Sequence, residues 1–83
     1  MTLKVLYFAW LRERIGAPRE DIETSAATVA ELVAELRARG PRHEAALGDM
    51  AAVRVALDQE LAALDAPLTG VREVAFFPPM TGG

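Results

Sequence analysis

The sequence predicts an α+β domain: a mixed sheet packed on one main helix, followed by an extended C-terminal tail. Three observations carry the prediction. Short apolar stretches near the two ends of the chain, Leu3 to Phe8 and Val74 to Phe77, read as strands buried in a sheet. One strongly marked amphipathic helix, Val29 to Arg39, lies between them. The final strand is stopped by Pro78-Pro79, which cannot donate to a ladder and hold the chain extended, and Met80-Thr-Gly-Gly83 follows. A helix crossing one face of a sheet is α+β architecture.

The elements follow in order. Leu3, Val5 and Tyr7 alternate with Lys4, Leu6 and Phe8, and apolar residues on both faces predict a central strand. Ala9 to Ile15 forms a short helix bearing Trp10, Leu11 and Ile15, ended by Gly16 and Pro18. Arg19 to Thr24, with Ile22 its one strongly apolar residue, fits an edge strand guarded by charge. Thr28 and Glu31 make a capping box, after which Val29, Leu32, Val33 and Leu36 fall on one helix face. Glu35 is expected to pair with Arg39 on the exposed side, and Gly40-Pro41 to end the helix. Arg42 to Asp49 reads as loop with at most a helical turn, carrying a solvated His43. Ala52 to Leu57 is a third strand, with Val53, Val55 and Leu57 inward and Arg54 and Ala56 outward. Asp58-Gln-Glu60 turns the chain, Leu61 to Leu64 returns briefly, and Asp65-Ala-Pro67 with Thr69-Gly70 punctuates the loop to the last strand.

Composition excludes several classes. The 83 residues make one domain, residues 1–77, with residues 78–83 as tail, and 52% hydrophobic against 25% charged is the balance of a globule. No cysteine is present, so neither a disulfide framework nor a thiol nucleophile is available. A metal site needs converging ligands, and one histidine without cysteine predicts none. The net charge of −3, with basic residues scattered among acids, argues against nucleic acid. No apolar run reaches the ~20 residues of a membrane span, and the N-terminus lacks a signal-peptide layout, so a cytoplasmic location without membrane contact is expected. There is no Ser/His/Asp set and no Gly-rich phosphate loop before a helix. Asp21, Glu23, Glu31, Glu35 and Glu44 read as solvated faces rather than a catalytic pair, so a partner must complete any reaction.

The tail is the remaining candidate. Six extended residues reach roughly 20 Å. A terminal Gly82-Gly83 is either a frayed end or a carboxylate stripped of side chains for entry into a narrow channel. The strand and the two prolines that aim it favour the second reading.

The tail Val74-Ala-Phe-Phe-Pro-Pro-Met-Thr-Gly-Gly83, the opening Val5-Leu-Tyr-Phe-Ala-Trp-Leu-Arg-Glu13 and the length between them resemble the small subunit of molybdopterin synthase, the MoaD-type sulfur carriers of the ubiquitin-like β-grasp group. The resemblance implies a β-grasp strand order with the N- and C-terminal strands as central parallel neighbours. It implies that Gly83 is adenylated and then thiocarboxylated, and that Gly82, Thr81, Met80, Pro79 and Pro78 thread into a partner's pocket. Met80 stands where the family usually has a small aliphatic residue. Phe77, Leu61 and Arg12 match positions that contact the adenylating enzyme. By alternation one of Phe76 and Phe77 faces outward, the alternative being that both are buried; Leu61 is either exposed or closes the core from below, and a solvated Arg12 is an equal alternative.

The implied partners are the large (MoaE-type) synthase subunit in a heterotetramer, a ubiquitin-activating-like (MoeB-type) adenylating enzyme that uses ATP, and a sulfur donor protein. No stably bound cofactor is implied. Rival readings are a carrier for another pathway such as thiamine thiazole synthesis, a ubiquitin-like modifier joined to target lysines, and a passive module whose tail is a peptide ligand.

Overall fold

Alternation in the first residues builds the centre of the molecule. A computed structural model of the chain describes residues 1–79. In it β1 (Thr2–Tyr7) buries Leu3, Val5 and Tyr7 on one face. Next come α1 (Trp10–Ile15), β2 (Arg19–Glu23), α2 (Val29–Arg37) and α3 (Pro41–Leu47). A 3₁₀ turn (Met50–Ala52), β3 (Arg54–Leu57), β4 (Glu60–Ala62) and β5 (Glu73–Phe77) complete the order. The strands form one sheet, β2-β1-β5-β3-β4, with β1 and β5 parallel at its centre and the other pairings antiparallel. This is the expected ubiquitin-like β-grasp, with β2 at the edge foreseen for it.

All three helices lie against the same face of the sheet and share one core with it. Leu11 and Ile15 of α1, Val29, Leu32, Val33 and Leu36 of α2, and Ala46 and Leu47 of α3 meet Val5, Val55, Val74 and Phe76 there. Each fully buried Leu, Val or Phe side chain among them contributes about 1.5–3 kcal/mol of transfer free energy. Gly16 closes α1 in the left-handed conformation (φ 91°), with its N–H on the Arg12 carbonyl.

The main helix begins as its sequence predicts. Thr28 Oγ1 accepts the Glu31 N–H at 3.2 Å. Its first amides find acceptors in the loop after β4: Val29 N–H donates to Ala66 O (3.1 Å) and Ala30 N–H to Leu64 O (2.8 Å). That loop also buries Leu68 completely, tied through its N–H to Ala27 O at 2.9 Å.

Four local expectations are corrected. Arg42 to Asp49 is not loop: Pro41–Leu47 is a helix, with Gly40 as its N-cap and Pro41 in the first turn, so Gly40-Pro41 starts α3 rather than stopping α2. His43 is therefore a helix residue, and its side chain is only 13% exposed. Glu35 does not pair with Arg39; its carboxylate accepts the Thr24 hydroxyl, and Arg37 takes Glu44 in a two-pronged contact at 2.7 and 2.8 Å. Ala56 points away from the helices as expected yet is buried, because Ala75, Leu6 and Leu61 share its row across the sheet.

Candidate functional site

Strand β5 runs through the middle of the sheet, held by β1 on one side and β3 on the other, so the residue that leaves it is fixed from both flanks. Phe76 and Phe77 alternate across it. Phe76 is fully buried and its ring stacks on Tyr7 at a centroid distance of 6.1 Å; Phe77 is half-buried on the outer face, opposite Arg54. The outward ring is thus Phe77. Pro78 and Pro79 follow outside the strand, half-buried. Met80, Thr81, Gly82 and Gly83 lie outside the described residues.

The register of the sheet defines the surface beside this exit. Arg19, Leu6, Ala75, Ala56 and Leu61 occupy one row across all five strands on the outer face. The next row toward the exit holds Phe77 and Arg54, and Phe8 adjoins it, its N–H donating to Phe76 O at 3.1 Å. Leu61 is 77% exposed and Phe8 45%. Phe77 and Leu61 therefore share one face, one register row apart. Large apolar groups grouped this way mark an interaction surface. Arg12 stands apart from them on α1, exposed and outside every ion pair among the described residues.

On the inner face, near the same end, a polar cluster lies where sequence reasoning placed none. Glu20 Oε2 accepts the Tyr7 hydroxyl at 3.0 Å and lies 3.0 Å from His43 Nε2, joining β1, β2 and α3. Burial pushes the Glu20 carboxyl up, but hydrogen bonds from His43 and Tyr7 and the charges of His43 and Arg39 outweigh it and hold the group below its usual range. Burial, then the Glu20 charge and hydrogen bond, push the Tyr7 phenol well above its ordinary value, with Arg39 opposing. The hydroxyl is thus a permanent donor. Glu20 and His43 are 23 residues apart, and no local spacing announces such a pair.

Among the described residues no group of three or more His, Cys, Asp or Glu side chains converges as a metal site, and no helix is long and apolar enough to cross a membrane. A shallow, open depression between Lys4, Asp58, Gln59, Arg72 and Glu73 lies at the end of the sheet away from Phe77.

A β-grasp domain whose central strand hands the chain to two prolines beside an apolar sheet face defines a protein of the ubiquitin-like class. The chain belongs to the ThiS family, whose model matches residues 5–83. It is 41% identical over 81 residues to the molybdopterin synthase sulfur carrier subunit of Escherichia coli K12, covering 98% of this chain and 99% of that protein. It is 37% identical, with the same coverage, to the protein of that name from Haemophilus influenzae. These relatives bear out the resemblance to the synthase small subunits. Among solved structures, SAMP1 from Haloferax volcanii superposes with a TM-score of 0.80 at 27% identity over 100% of both chains. A putative molybdopterin converting factor subunit 1 from Pyrococcus furiosus gives 0.75 at 27% identity, over 96% of this chain and 99% of that one.

Proposed function

We propose that the chain is the sulfur carrier and small subunit of molybdopterin synthase, acting in the cytoplasm with Gly83 as the group that carries sulfur. The observation that bears most weight is the pairing of a clamped central strand with its exit: β5 ends at Phe77 and hands the chain through Pro78-Pro79 to Met80-Thr-Gly-Gly83. Family membership and the two curated relatives support the same reading.

A C-terminal carboxylate, with an ordinary pKa of about 3.3–3.7, is ionised and inert to nucleophiles. In this reading an adenylating enzyme joins the Gly83 carboxylate to the α-phosphate of ATP, releasing pyrophosphate. Sulfide, or a persulfide followed by reductive cleavage, attacks the acyl carbon; AMP leaves, and a thiocarboxylate remains. The tail then enters the large synthase subunit and gives its sulfur to the cyclic pterin precursor, so two loaded carriers supply one dithiolene. ATP stays with the adenylating enzyme and the catalytic side chains with the large subunit. This chain contributes the handle, a narrow threading segment of Pro78, Pro79, Met80, Thr81 and Gly82, and docking contacts from Phe77, Leu61 and Arg12.

The test is the intact mass of the full chain after incubation with ATP, the adenylating enzyme and a sulfur source, beside a chain lacking Gly83. Replacement of one oxygen by sulfur, absent from the truncated chain, supports the carrier. No gain, with the enzyme active on another carrier, overturns it.

A second reading has one observation in its favour. The Haloferax volcanii neighbour, which a second structure names as small archaeal modifier protein 1, matches the chain over its whole length. Lysine-linked adducts accumulating in cells, lost on deletion of Gly83, would support a modifier.

A further inference from the structure

Helix α3 is fastened to the domain mainly through carboxylates. It buries only Ala46 and Leu47, no side chain caps its N-terminus, and Gly40 and Gly48 bound it. Its side-chain ties are Glu20 to His43, at 3.0 Å, and Glu44 to Arg37, at 2.7 and 2.8 Å. Arg14 adds a bond to Ala45 O at 3.4 Å. Helix α2 is held otherwise. It buries Val29, Leu32, Val33 and Leu36, and the amides of its first turn go to Thr28 Oγ1 and to the carbonyls of Leu64 and Ala66, none of which titrates.

The charges around α3 are unequal. Arg14 reaches it from α1, Arg37 from α2, and Arg39, between α2 and α3, acts on Glu20 and Tyr7. Its own Arg42 places a guanidinium beside Gly16, which ends α1. Against these cations stand Glu20 on β2 and Glu44 on α3 itself, while Tyr7 on β1 is neutral. Arg12 and Glu13 on α1 are exposed and enter no ion pair among the described residues.

Both carboxyls lie below their ordinary value of 4.5. Burial raises Glu20, but the bonds from His43 and Tyr7 and the charges of His43 and Arg39 outweigh it; the hydrogen bond from Arg37, with its charge, holds Glu44 down. A depressed carboxyl contributes fully above 4.5 and loses its contribution as pH falls through the folded value, so the two ties fail over one span of acidity. The arginines stay charged throughout, and a neutral acid no longer offsets them. We propose that α3 is an acid-released flap, which on acidification leaves the core between Gly40 and Gly48 while the sheet and α2 stay folded. Such sub-global opening is expected of an element with few buried apolar contacts. Release uncovers the part of the core that Ala46 and Leu47 seal, together with the Tyr7 ring, to which His43 stands edge-on at 6.3 Å. That ring stacks on Phe76, so the opened chain presents an inner apolar surface beneath its strand exit only in acid.

The experiment follows amide hydrogen exchange of the full chain by NMR from neutral to acid pH, each rate divided into that of an unstructured amide at the same pH. Protection at Ala46 and Leu47 should fall by roughly tenfold or more across the acid range, while Val5, Val74 and Phe76 keep theirs. At neutral pH, Glu20→Gln and Glu44→Gln should each lower protection in α3 alone, and the double variant should lower it further. Glu60→Gln, on β4 and outside every side-chain contact among the described residues, should match the unaltered chain. Loss of protection in α3 and the sheet together at every pH overturns the flap, because the domain then opens only as a whole. Protection in α3 that is indifferent to pH, or unchanged in both single variants, overturns the carboxylate hold. The unaltered chain alone decides the first of these, whether or not the double variant folds.

Discussion

The carboxylate of Glu20 lies 3.2 and 3.0 Å from Nε2 of His43, so one residue on an edge strand holds a helix that has little core of its own. Helix α3 is 7 residues long and buries only Ala46 and Leu47. Arg37 with Glu44, and Arg14 reaching Ala45 O at 3.4 Å, supply its other polar ties, both at exposed positions. Exposed pairs contribute little, about 0–1 kcal/mol. The half-buried contact through Glu20 is therefore the strongest polar hold on α3, and through Tyr7 it reaches the ring that stacks on Phe76 beneath the strand exit.

Substituting Glu20→Gln should lower stability at neutral pH by about 1–2 kcal/mol, since a charge-assisted acceptor for two donors becomes neutral. The effect has a defined pH dependence. The folded-state pKa of Glu20 is depressed, so its contribution is fully present above its ordinary value of 4.5 and is lost as pH falls through the folded value. Melting curves of both chains should accordingly converge on acidification. A difference in melting temperature that stays constant from neutral to acid pH would refute the assignment.

The two adjacent phenylalanines should separate cleanly. Phe76→Ala removes a fully buried ring stacked on Tyr7 and is expected to cost about 3–5 kcal/mol, a large part of the stability of a domain this small. Phe77→Ala and Leu61→Ala should leave the melting temperature within a few degrees and instead weaken binding to the large subunit, by about tenfold or more where the side chain is a central anchor. Calorimetry of the free chain and titration with the subunit distinguish the effects. Equal loss of stability for both phenylalanines would contradict the placement.

The contrast between these residues also shows what the sequence disclosed. Alternation gave the two central strands and made one of the two rings face outward, but their register against β3, which puts Phe77 beside Arg54 and Leu61 opposite Ala56, depends on pairings between segments far apart in the chain. The capping box at Thr28 and the apolar spacing of α2 were legible because both are local. Helix α3 was not, because its two buried residues are adjacent and set no period. Gly40-Pro41 carries the same residues whether it stops one helix or starts the next. Likewise His43 looked solvated because its partner lies on another element, and the burial of Leu68 within its loop was not legible because the core it joins is built by distant segments. The role proposed for the tail draws on the family's ending, since glycines alone also describe a frayed terminus.

Gly16 should resist substitution for a conformational reason. Its φ of 91° favours glycine, and a Cβ there would stand 2.5 Å from a guanidinium nitrogen of Arg42. The side-chain end of Arg42 can move aside, so most of the penalty is backbone strain, and Gly16→Ala should cost about 1–2 kcal/mol. Gly40→Ala, where nothing lies within 4 Å and φ is 160°, should cost less. Urea midpoints for the two variants test the ranking.

Asp58 combines two functions whose loss can be measured separately. With Gln59 it forms the two-residue turn between β3 and β4, at φ 49° and 73°, the left-handed values a tight hairpin requires. Its Oδ1 accepts the N–H groups of Arg72 (3.1 Å) and Glu73 (3.0 Å), fastening the start of β5 to the hairpin that presents Leu61. Asn tolerates the conformation and keeps an acceptor oxygen, so Asp58→Asn should stay within about 0.5 kcal/mol of the unaltered chain. Asp58→Gly keeps the conformation and loses the acceptor, for about 1 kcal/mol. Asp58→Ala loses the acceptor and adds left-handed strain, for about 2 kcal/mol. Denaturant titration should therefore rank the three Asn, Gly, Ala in falling stability. If Gly and Ala fall together, strain at the turn is unimportant; if Asn falls as far as Gly, the clamp depends on charge rather than on the acceptor's geometry.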